Sequence, residues 1–418
     1  MPPFNHYQYQ ALCAEDTIRL IVLDVATDNE APLSCSLVQR PRSSRHVEYF
    51  AISYAWGVPE FTRTLEVRHD GDDTSYLRIT SNVDALLRHL RTPNDPRYLW
   101  IDAICLNQDD ETEKALQIPM MGRIYEEAKG IHIWVGPSVL MTRQLFAFFR
   151  RSTRIRQVEQ SQIAARLVFF MQKYLHGAGP GLHAITDFFQ RSWFSRRWVI
   201  QEACLACQAT VHCGNYSIPL PVLASAARQF QNLDMSDYSI RMAANLRRPS
   251  ASLSILELLW NFHEAACLEP RDRISALLGL VGEGNRFPMD YTARWADLYK
   301  QAASFMLRNG GNDIRLQMLL HLFEFGPLVT PQGSYPSWVP DWTKTRRRCL
   351  PYHSWIRNVD TYEPYPSSPG HPALATLEFH HGTLQVYGDA LIATHVCEVT
   401  FAKSFLQPPK HKEERGES

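Results

Sequence analysis

Three apolar runs of strand length, separated by helical patterns, constrain this fold more than any other feature of the sequence. They cover residues 47–55, 98–106 and 131–136. A strand that is apolar along its whole length is typical of a parallel sheet buried on both faces. Helical periodicity lies between the runs, at residues 82–91 and at about 112–129. The alternation predicts an α/β fold with a parallel sheet flanked by helices.

The remaining patterns divide the chain into regions. Short strands are predicted at 17–25 and 209–213, and a hairpin at 64–79 with its turn at Asp70–Asp72. The regions that follow are an N-terminal extension (1–46), an α/β domain (47–220) with a helical insertion (138–189), a helical region (221–345), and a C-terminal segment (346–418). The C-terminal segment favours β-structure and ends in a charged tail that we expect to be disordered.

Charge and cysteine content exclude several classes of function. The chain has 43 basic and 43 acidic side chains, and this balance argues against a partner that is nucleic acid or a membrane surface. The N-terminus has no basic segment followed by an apolar run, and prolines break the longest uncharged stretch, at 203–227. Neither a secretory signal nor a membrane span is therefore predicted. Nine scattered cysteines indicate reduced thiols and a cytoplasmic location.

Residues 190–206 have the apolar pattern of a buried helix but contain two tryptophans, three arginines and a single acid, Glu202. On a helix, Trp198 lies on the same face as Glu202, and Arg197 lies on the neighbouring row. An acid beside an aromatic ring and a guanidinium indicates either a polar site in an apolar setting or a structural ion pair in a core helix. The stretch alone leaves both interpretations open.

Polar side chains follow two of the predicted strands at the point where each ends. Ser53, Tyr54 and Trp56 end one strand, and Asp102, Asn107 and Gln108 follow the end of the next. Taken singly, each has a structural interpretation, such as a turn cap, a core aromatic or an Asx turn. Ligands in open α/β sheets bind at the carboxyl ends of the strands. Together with Glu202, these residues therefore predict a binding cleft at that edge.

Common cofactor and metal motifs do not account for this cleft. The sequence has no phosphate loop, no dinucleotide fingerprint and no nucleophile elbow. Cys204 and Cys207, with His212 and Cys213 nearby, raise the alternative of a zinc site. Tetrahedral zinc usually needs two spaced ligand pairs, and neighbouring residues of a strand point to opposite faces. We therefore expect buried thiols, with no metal and no bound cofactor.

The segments that carry these residues resemble a known family. Residues 49–57 (YFAISYAWG), 99–136 and 191–205 (RSWFSRRWVIQEACL) are similar to the three signature blocks of the fungal heterokaryon-incompatibility (HET) domain. Residues 272–280, 290–303 and 335–342 are similar to the helical region that commonly follows this domain. The resemblance implies a fungal protein of self/non-self recognition and programmed cell death.

The HET domain is in turn distantly similar to TIR domains. Residues 51–54 (AISY) resemble the end of the first TIR strand, and residues 195–202 resemble the TIR motif S-x-W-C-x-x-E-L. The sequence departs from the TIR pattern at Val199, at Ala203 and in the insertion at 138–189. The resemblance implies a TIR- or flavodoxin-like sheet. It also implies that Glu202 is the catalytic residue for cleaving NAD at its nicotinamide–ribose bond.

Two functions are compatible with this sequence. In the first, the protein is an NAD(+) nucleosidase that self-association or a protein partner switches on. Trp56 or Trp198 then stacks on a ring of the substrate, and Arg197 lowers the pKa of Glu202. In the second, the domain is a non-catalytic interaction module, and Glu202 is a structural acid paired with Arg196 or Arg197. A cyclase or transferase acting on the same nucleotide is a third alternative.

Overall fold

The structure is a computed structural model in which the chain divides into two compact units, Met1–Thr292 and Ala293–Ser418. It describes residues 5–14, 16–42, 48–69, 73–154, 160–230, 237–247, 254–282, 287, 290–331, 333–346, 376–380 and 383–387. The expected domain boundary near residue 220 falls inside the first unit, because the helices up to residue 278 cluster with the sheet. The predicted Asp70–Asp72 turn and the charged tail lie outside the described residues.

The described part of the first unit contains one nine-stranded sheet. Its strands are β1 (Thr17–Leu23), β2 (Ser34–Pro41), β3 (Phe50–Tyr54), β4 (Arg63–Arg68), β5 (Thr74–Ile79), β6 (Arg97–Trp100), β7 (Gly130–Trp134), β8 (Ala209–Cys213) and β9 (Tyr216–Pro219). The spatial order is β5-β4-β2-β1-β6-β3-β7-β8-β9. The predicted strands at 17–25, 131–136 and 209–213 are confirmed, whereas β2 was not predicted.

The centre of the sheet is parallel and its flanks are mixed. Strands β6, β3, β7 and β8 run parallel, in the spatial order second, first, third and fourth along the chain. This is the order of a flavodoxin-type sheet. The pairs β1–β2, β4–β5 and β8–β9 are antiparallel, because short connections cannot make a parallel crossover. The α/β class is therefore confirmed, with the parallel strands at the centre of a mixed sheet.

Helices surround this sheet. In the first unit they are α1 (Ser81–Leu90), α2 (Asp102–Cys105), α3 (Glu111–Gln117), α4 (Met121–Glu127), α5 (Thr142–Ser152), α6 (Gln160–Tyr174), α7 (Ala178–Phe189), α8 (Trp198–Leu205), α9 (Leu220–Phe230), α10 (Tyr238–Asn245), α11 (Ile255–Asn261) and α12 (Asp272–Leu278). Helix α1 begins where the Thr80 hydroxyl accepts a hydrogen bond from the Val83 amide at 3.3 Å, a side-chain N-cap. Helix α8 packs between α4 and α12 and contacts β3.

The helical insertion is held by phenylalanine side chains. Phe146 and Phe149 of α5 contact Phe188 of α7, with ring centroids 5.6 Å and 5.5 Å apart. Phe149 also contacts Phe230 of α9, at 5.6 Å. Each buried phenylalanine stabilises the fold by about 1.5–3 kcal/mol. The insertion is thus part of the core of the first unit.

Two predicted segments are divided in the structure. The predicted helix at 112–129 is split into α3, a 3-10 turn at Ile118–Met120, and α4, since Pro119 cannot continue the backbone hydrogen bonds of α3. The predicted strand at 98–106 ends as β6 at Trp100 and continues as α2. A short apolar run fits a buried strand and a buried helical turn equally well, so periodicity could not separate the two.

In the part of the second unit that the structure describes, the elements are α13 (Trp295–Asn309), α14 (Asn312–Phe325), and two short hairpins formed by β10 (Val329–Thr330) with β11 (Gly333–Ser334) and by β12 (Thr376–His380) with β13 (Thr383–Tyr387). Trp342 is central to its core. The Trp342 indole donates a hydrogen bond to His321 at 3.1 Å and packs edge-on against Tyr299. The expected β-structure at 376–400 is confirmed in β12 and β13, and the remainder of that range lies outside the described residues.

Candidate functional site

The main cavity of the first unit lies at the switch point of the parallel strands. Its volume is about 490 Å³. Residues just after β3 (Ala55–Gly57) and just after β7 (Val135–Pro137) line it, together with the first residues of α1. In a flavodoxin-type order, connections leave in opposite directions from these two neighbouring strands and open a crevice, where ligands bind. The fold therefore places a cavity where such sheets bind small molecules.

Hydrogen bonds from one side chain hold three cavity walls together. The Asn82 amide donates to the Ala55 carbonyl at 2.7 Å, and its oxygen accepts from the Trp134 indole at 2.8 Å. Gly57 and Gly136 turn the chain away from the two strand ends with φ of 71° and 102°, values that favour glycine. The cavity is thus built from a fixed frame at the ends of β3, β7 and the start of α1.

Charged groups of both signs lie at this cavity. Arg191 donates to the Val135 and Pro137 carbonyls, both at 2.9 Å, and its guanidinium lies over the Phe188 ring. Glu60 is exposed at another wall. Arg191 has further N–H groups on a partly exposed side chain, so the cavity offers a cation to an anionic ligand.

Behind the cavity, a chain of hydrogen bonds leads to Glu202. The indole of Trp193, which lines the cavity, donates to the Ser53 hydroxyl at 2.8 Å. The Ser53 hydroxyl donates in turn to the Glu202 carboxylate. Ser53 is fully buried, and Glu202 is 1% exposed. The Glu202 carboxylate therefore lies behind Trp193 and Ser53 and does not itself line the cavity.

Burial controls the protonation of Glu202. It raises the pKa of the Glu202 carboxyl to about 7, and the negative charge of Asp102 adds to this rise. The Arg196 guanidinium and the Ser53 hydrogen bond act in the opposite direction. A carboxyl with a pKa near neutrality exchanges protons readily at physiological pH, as acid–base residues of active sites do. Glu202 therefore has the perturbed pKa that is common among carboxyl groups of active sites.

Asp102 fixes the indole that stands at the cavity. Its carboxylate accepts from the Trp56 indole at 2.9 Å and from the Ala103 amide at 2.8 Å. Burial raises the pKa of Asp102, while Arg196 and the Trp56 hydrogen bond lower it. The Gln108 amide donates to the Asp102 carbonyl at 2.9 Å. Trp56 is 38% exposed and lines the cavity, so Asp102 holds a ring that a ligand can reach.

The other two strand-end residues contribute to the framework. Tyr54 is buried, its carbonyl accepts a hydrogen bond from Arg196, and burial raises the pKa of its phenol well above the ordinary range. Asn107 forms an Asx turn, since its side-chain oxygen accepts from the Asp109 amide at 3.2 Å. Neither residue lines the main cavity.

Arg197 and Trp198 are placed differently from their predicted positions. The guanidinium of Arg197 donates to the carbonyls of Phe262 and Arg273, and the Trp198 indole donates to the Asp272 carboxylate at 2.9 Å. The expectation that Arg197 lowers the pKa of Glu202 was wrong, because Arg196 has that effect. Arg197 and Trp198 bind the α11–α12 region and do not line the cavity.

A break in the predicted helix explains this difference. Residues Ser192–Ser195 form a 3-10 turn, and Arg196 is extended before α8 begins. The extended segment pairs with Ala266, whose carbonyl accepts from the Arg197 amide at 2.9 Å. The break changes which side chains face Ser53, and it brings in Trp193 and Arg196. Sequence reasoning did not assign Trp193 to the site, although it lies in the same stretch of aromatic and basic residues as Glu202.

The thiols and histidines considered for zinc have other environments. Cys204 is buried and Cys207 is exposed. His212 exchanges hydrogen bonds with His89 and His132, both at 2.9 Å. Among the residues that the structure describes, no group of three or more histidine, cysteine or acidic side chains is arranged to hold a metal ion.

Comparison with known proteins shows which family the α/β domain is similar to. Residues 49–202, which include the switch-point cavity and Glu202, match the family described as "Heterokaryon incompatibility protein (HET)". The resemblance found in the sequence is thereby confirmed over these residues.

One curated relative extends the similarity beyond this domain. It is "Heterokaryon incompatibility protein 6, OR allele" of Neurospora crassa, which is 27% identical over 81% of this chain. The chain spans 60% of the length of that relative. No solved structure matches the chain significantly. In the described part of the chain, no helix is both long and apolar enough to cross a membrane.

Proposed function

We propose that this protein acts in fungal non-self recognition and that its HET domain triggers programmed cell death. The family match over residues 49–202 and the similarity to a Neurospora heterokaryon incompatibility protein support this role. Self-association or a protein partner would provide the trigger, as the resemblance to incompatibility proteins implies. The remaining question is which property of the domain causes death.

We further propose that the HET domain hydrolyses NAD(+) at the nicotinamide–ribose bond, with Glu202 as the catalytic residue. The observation that carries this proposal is the switch-point cavity, with Glu202 linked to its wall through Ser53 and Trp193. The position agrees with nucleotide binding at the strand ends of flavodoxin-type sheets. Trp56 supplies an exposed ring for stacking on the nicotinamide or the adenine, and Arg191 supplies a cation for the pyrophosphate.

The chemistry needs one carboxylate near the ribose. When the glycosidic bond breaks, its electron pair goes to the pyridinium nitrogen, so nicotinamide leaves as a neutral molecule and needs no general acid. The ribosyl group becomes oxocarbenium-like, and an ionised Glu202 stabilises that positive charge. Water then adds to the ribose, its proton is released, and the product is ADP-ribose. Burial raises the pKa of Glu202 to about 7 in this conformation, so opening the carboxylate to the cavity would lower its pKa and favour the ionised form that the reaction needs.

Because Glu202 is buried, activation must bring its carboxylate into contact with the cavity. In this conformation Trp193 and Ser53 separate the carboxylate from the cavity. Under this proposal the structure is the resting form, and the Trp193 indole moves aside when the domain is triggered. Such a step would keep a lethal activity switched off in a single, untriggered molecule.

The same burial favours a second candidate function. An acid that is 1% exposed is also compatible with a structural role. The HET domain would then be a TIR-like interaction module that kills by recruiting partners, without consuming NAD. The two functions predict different results for one conservative substitution.

The test is Glu202→Gln, which keeps the shape of the side chain but removes its charge. Purified wild-type and variant proteins would be incubated with NAD(+), and nicotinamide, ADP-ribose and cyclic ADP-ribose would be quantified. We expect the variant to lose about 10²–10³-fold in rate, the usual effect of removing one electrostatic stabiliser of a transition state. Glu264→Gln is the matched control, because Glu264 pairs with Arg241 and does not line the cavity.

Expression of the same variants in a filamentous fungus separates the two functions. Loss of both NAD cleavage and toxicity in Glu202→Gln, with Glu264→Gln unaffected, supports the enzyme. Equal NAD consumption by wild type and Glu202→Gln would exclude the role of Glu202. Retained toxicity in a folded Glu202→Gln protein that consumes no NAD would establish the interaction module. Cyclic ADP-ribose as the main product would make the enzyme a cyclase.

A further inference from the structure

A second cavity, of about 140 Å³, lies against α8 beside Gln201, the residue preceding Glu202. The turn at Ile118–Pro119, Leu278 and Tyr291 also line it. None of these residues lines the switch-point cavity. The second cavity is therefore a separate feature of the first unit, and the proposed function does not use it.

Gln201 brings unused hydrogen-bond donors to this cavity. Its side chain is 3% exposed, and its Oε1 accepts from the Gly279 amide at 3.0 Å. The oxygen is fixed by that backbone donor, so the other end of the amide is the Nε2 group with two N–H donors. Nε2 donates to none of the residues that the structure describes. Gln201 lines the cavity, so a ligand bound there can accept a hydrogen bond from Nε2.

The charge behind the cavity wall determines what kind of acceptor fits. Asp272 accepts from the Tyr291 hydroxyl at 2.8 Å and from the Ser275 hydroxyl at 3.2 Å, and both of these residues line the cavity. Its other carboxylate oxygen accepts from the Trp198 indole. A carboxylate directly behind two wall residues repels an anion. The acceptor that Gln201 requires is therefore a neutral oxygen, such as that of a carbonyl group.

The size of the cavity limits the rest of the ligand. An apolar protein cavity of about 150 Å³ is known to hold one benzene molecule, and this cavity has about the same volume. Ile118, Pro119 and Leu278 provide apolar walls, and Tyr291 provides an aromatic one. One six-membered ring with a small substituent fills such a space.

We infer that this cavity is a binding site for a small, neutral, single-ring compound whose carbonyl oxygen accepts a hydrogen bond from Gln201. An aromatic carboxamide is the simplest member of this class. The bound compound would contact α8, α12 and the turn between α3 and α4 at once. It would therefore stabilise α8, the helix that contains Glu202, and raise the thermal stability of the protein.

The test uses benzamide as the probe and the side-chain amide signals of 15N-labelled glutamine as the readout. We expect benzamide to shift the Gln201 signal and to raise the melting temperature, and we expect the anion benzoate to bind at least about tenfold more weakly. Gln201→Glu keeps an acceptor for the Gly279 amide but removes the Nε2 donors, so benzamide affinity should fall about tenfold. Leu278→Phe fills the cavity and should abolish binding.

Gln117→Glu is the control, because it makes the same chemical change at a buried glutamine that bonds to the Thr17 carbonyl. It should leave benzamide affinity unchanged, and circular dichroism will check that each variant is folded.

Unchanged Gln201 signals at the solubility limit of benzamide would overturn the proposal. Equal affinity in wild type, Gln201→Glu and Leu278→Phe would overturn it as well. Benzoate binding as tightly as benzamide would contradict the neutral class of ligand. These measurements contain no NAD, so their outcome is independent of the proposed hydrolysis.

Discussion

Two buried glutamates of the first unit have very different surroundings. Glu113 forms a two-point ion pair with Arg19, at 2.9 Å and 3.2 Å, and also accepts from the Asn107 amide at 2.8 Å. Glu202 accepts from the Ser53 hydroxyl, and no salt bridge joins it to any described residue. Burial raises the pKa of Glu202 to about 7. The Glu113 carboxylate is thus fully paired, whereas the burial of the Glu202 carboxylate is only partly compensated.

The comparison shows what a structural acid looks like in this fold. Arg19 connects Glu113 to the Cys105 and Gln10 carbonyls and so fixes the chain around β1 and α2. Removing water from a charge is unfavourable, and a purely structural acid is compensated by such a network. Glu202 has only a partial network and lies behind a cavity wall. An uncompensated acid near a cavity is the arrangement expected of a functional group.

The largest expected effect concerns the arginine beside each glutamate. Arg19→Met should lower the free energy of unfolding by about 3–5 kcal/mol, because it leaves the buried Glu113 carboxylate without its partner. Arg196→Met should cost only about 1 kcal/mol, since Arg196 is partly exposed and its hydrogen bond is to the Tyr54 carbonyl. Urea unfolding at neutral pH measures both values. Equal losses would show that Glu202 is held as firmly as Glu113.

The next largest effect is a pH dependence of the free energy of unfolding, which Glu202→Gln should remove. The folded-state pKa of about 7 lies above the ordinary value of 4.5, so the native state binds the proton more tightly than the unfolded state. This contribution to stability is fully present below pH 4.5, decreases as the pH rises, and is lost above pH 7. Relative to Glu202→Gln, the wild type should lose about 2–3 kcal/mol between pH 4.5 and 8. A stability difference that does not change with pH would contradict this prediction.

A smaller effect tests whether Trp193 and Glu202 act together through Ser53. Trp193→Phe removes the indole donor to the Ser53 hydroxyl and should cost about 1 kcal/mol. In a double-mutant cycle with Glu202→Gln, the two changes should deviate from additivity by at least about 0.5 kcal/mol. Trp198→Phe is the matched control, because its indole donates to Asp272, and its cycle with Glu202→Gln should be additive. Additivity in both cycles would mean that the Trp193–Ser53–Glu202 chain is not coupled.

The smallest effect is expected at Trp56. Trp56→Phe removes the hydrogen bond to Asp102 at a half-exposed position and should cost about 0.5 kcal/mol. The pKa of Asp102 should rise further, since this hydrogen bond lowers it in the wild type. Carboxyl 13C NMR during a pH titration detects the change. An unchanged titration of Asp102 would show that the indole does not influence the carboxylate.

The sequence was sufficient to predict the elements that meet at the candidate site. Parallel strands place their carboxyl ends at one edge, so Trp56 and Asp102 could be expected near each other from their positions after β3 and β6. Glu202 was assigned from its setting of aromatic and basic residues and from the TIR resemblance. The structure brings Ser53 and Glu202 into contact and connects Trp56 with Asp102.

The parts that sequence reasoning missed depend on contacts between distant segments. A regular helix over residues 190–206 was predicted to place Arg197 and Trp198 beside Glu202. The helix is interrupted because the backbone at Arg197 pairs with Ala266, and local periodicity contains no information about that pairing. The strands β2 and β9, which pair antiparallel with β1 and β8, were missed for the same reason, since pairing partners depend on connection length and on neighbouring strands. Trp193 consequently had no assigned role, and Arg196 was assigned only as a partner of Glu202 in the non-catalytic alternative.

A measurement of the Glu202 pKa tests most directly whether this buried carboxyl is poorly compensated. The protein would be labelled with 13C at the glutamate carboxyl carbon, and Glu202→Gln would identify the Glu202 signal in a pH titration. We expect a midpoint near pH 7, because burial is only partly offset by Ser53 and Arg196. A midpoint below 4.5, the ordinary value, would show that Glu202 is a well-compensated ionised acid like Glu113 and has no perturbed pKa.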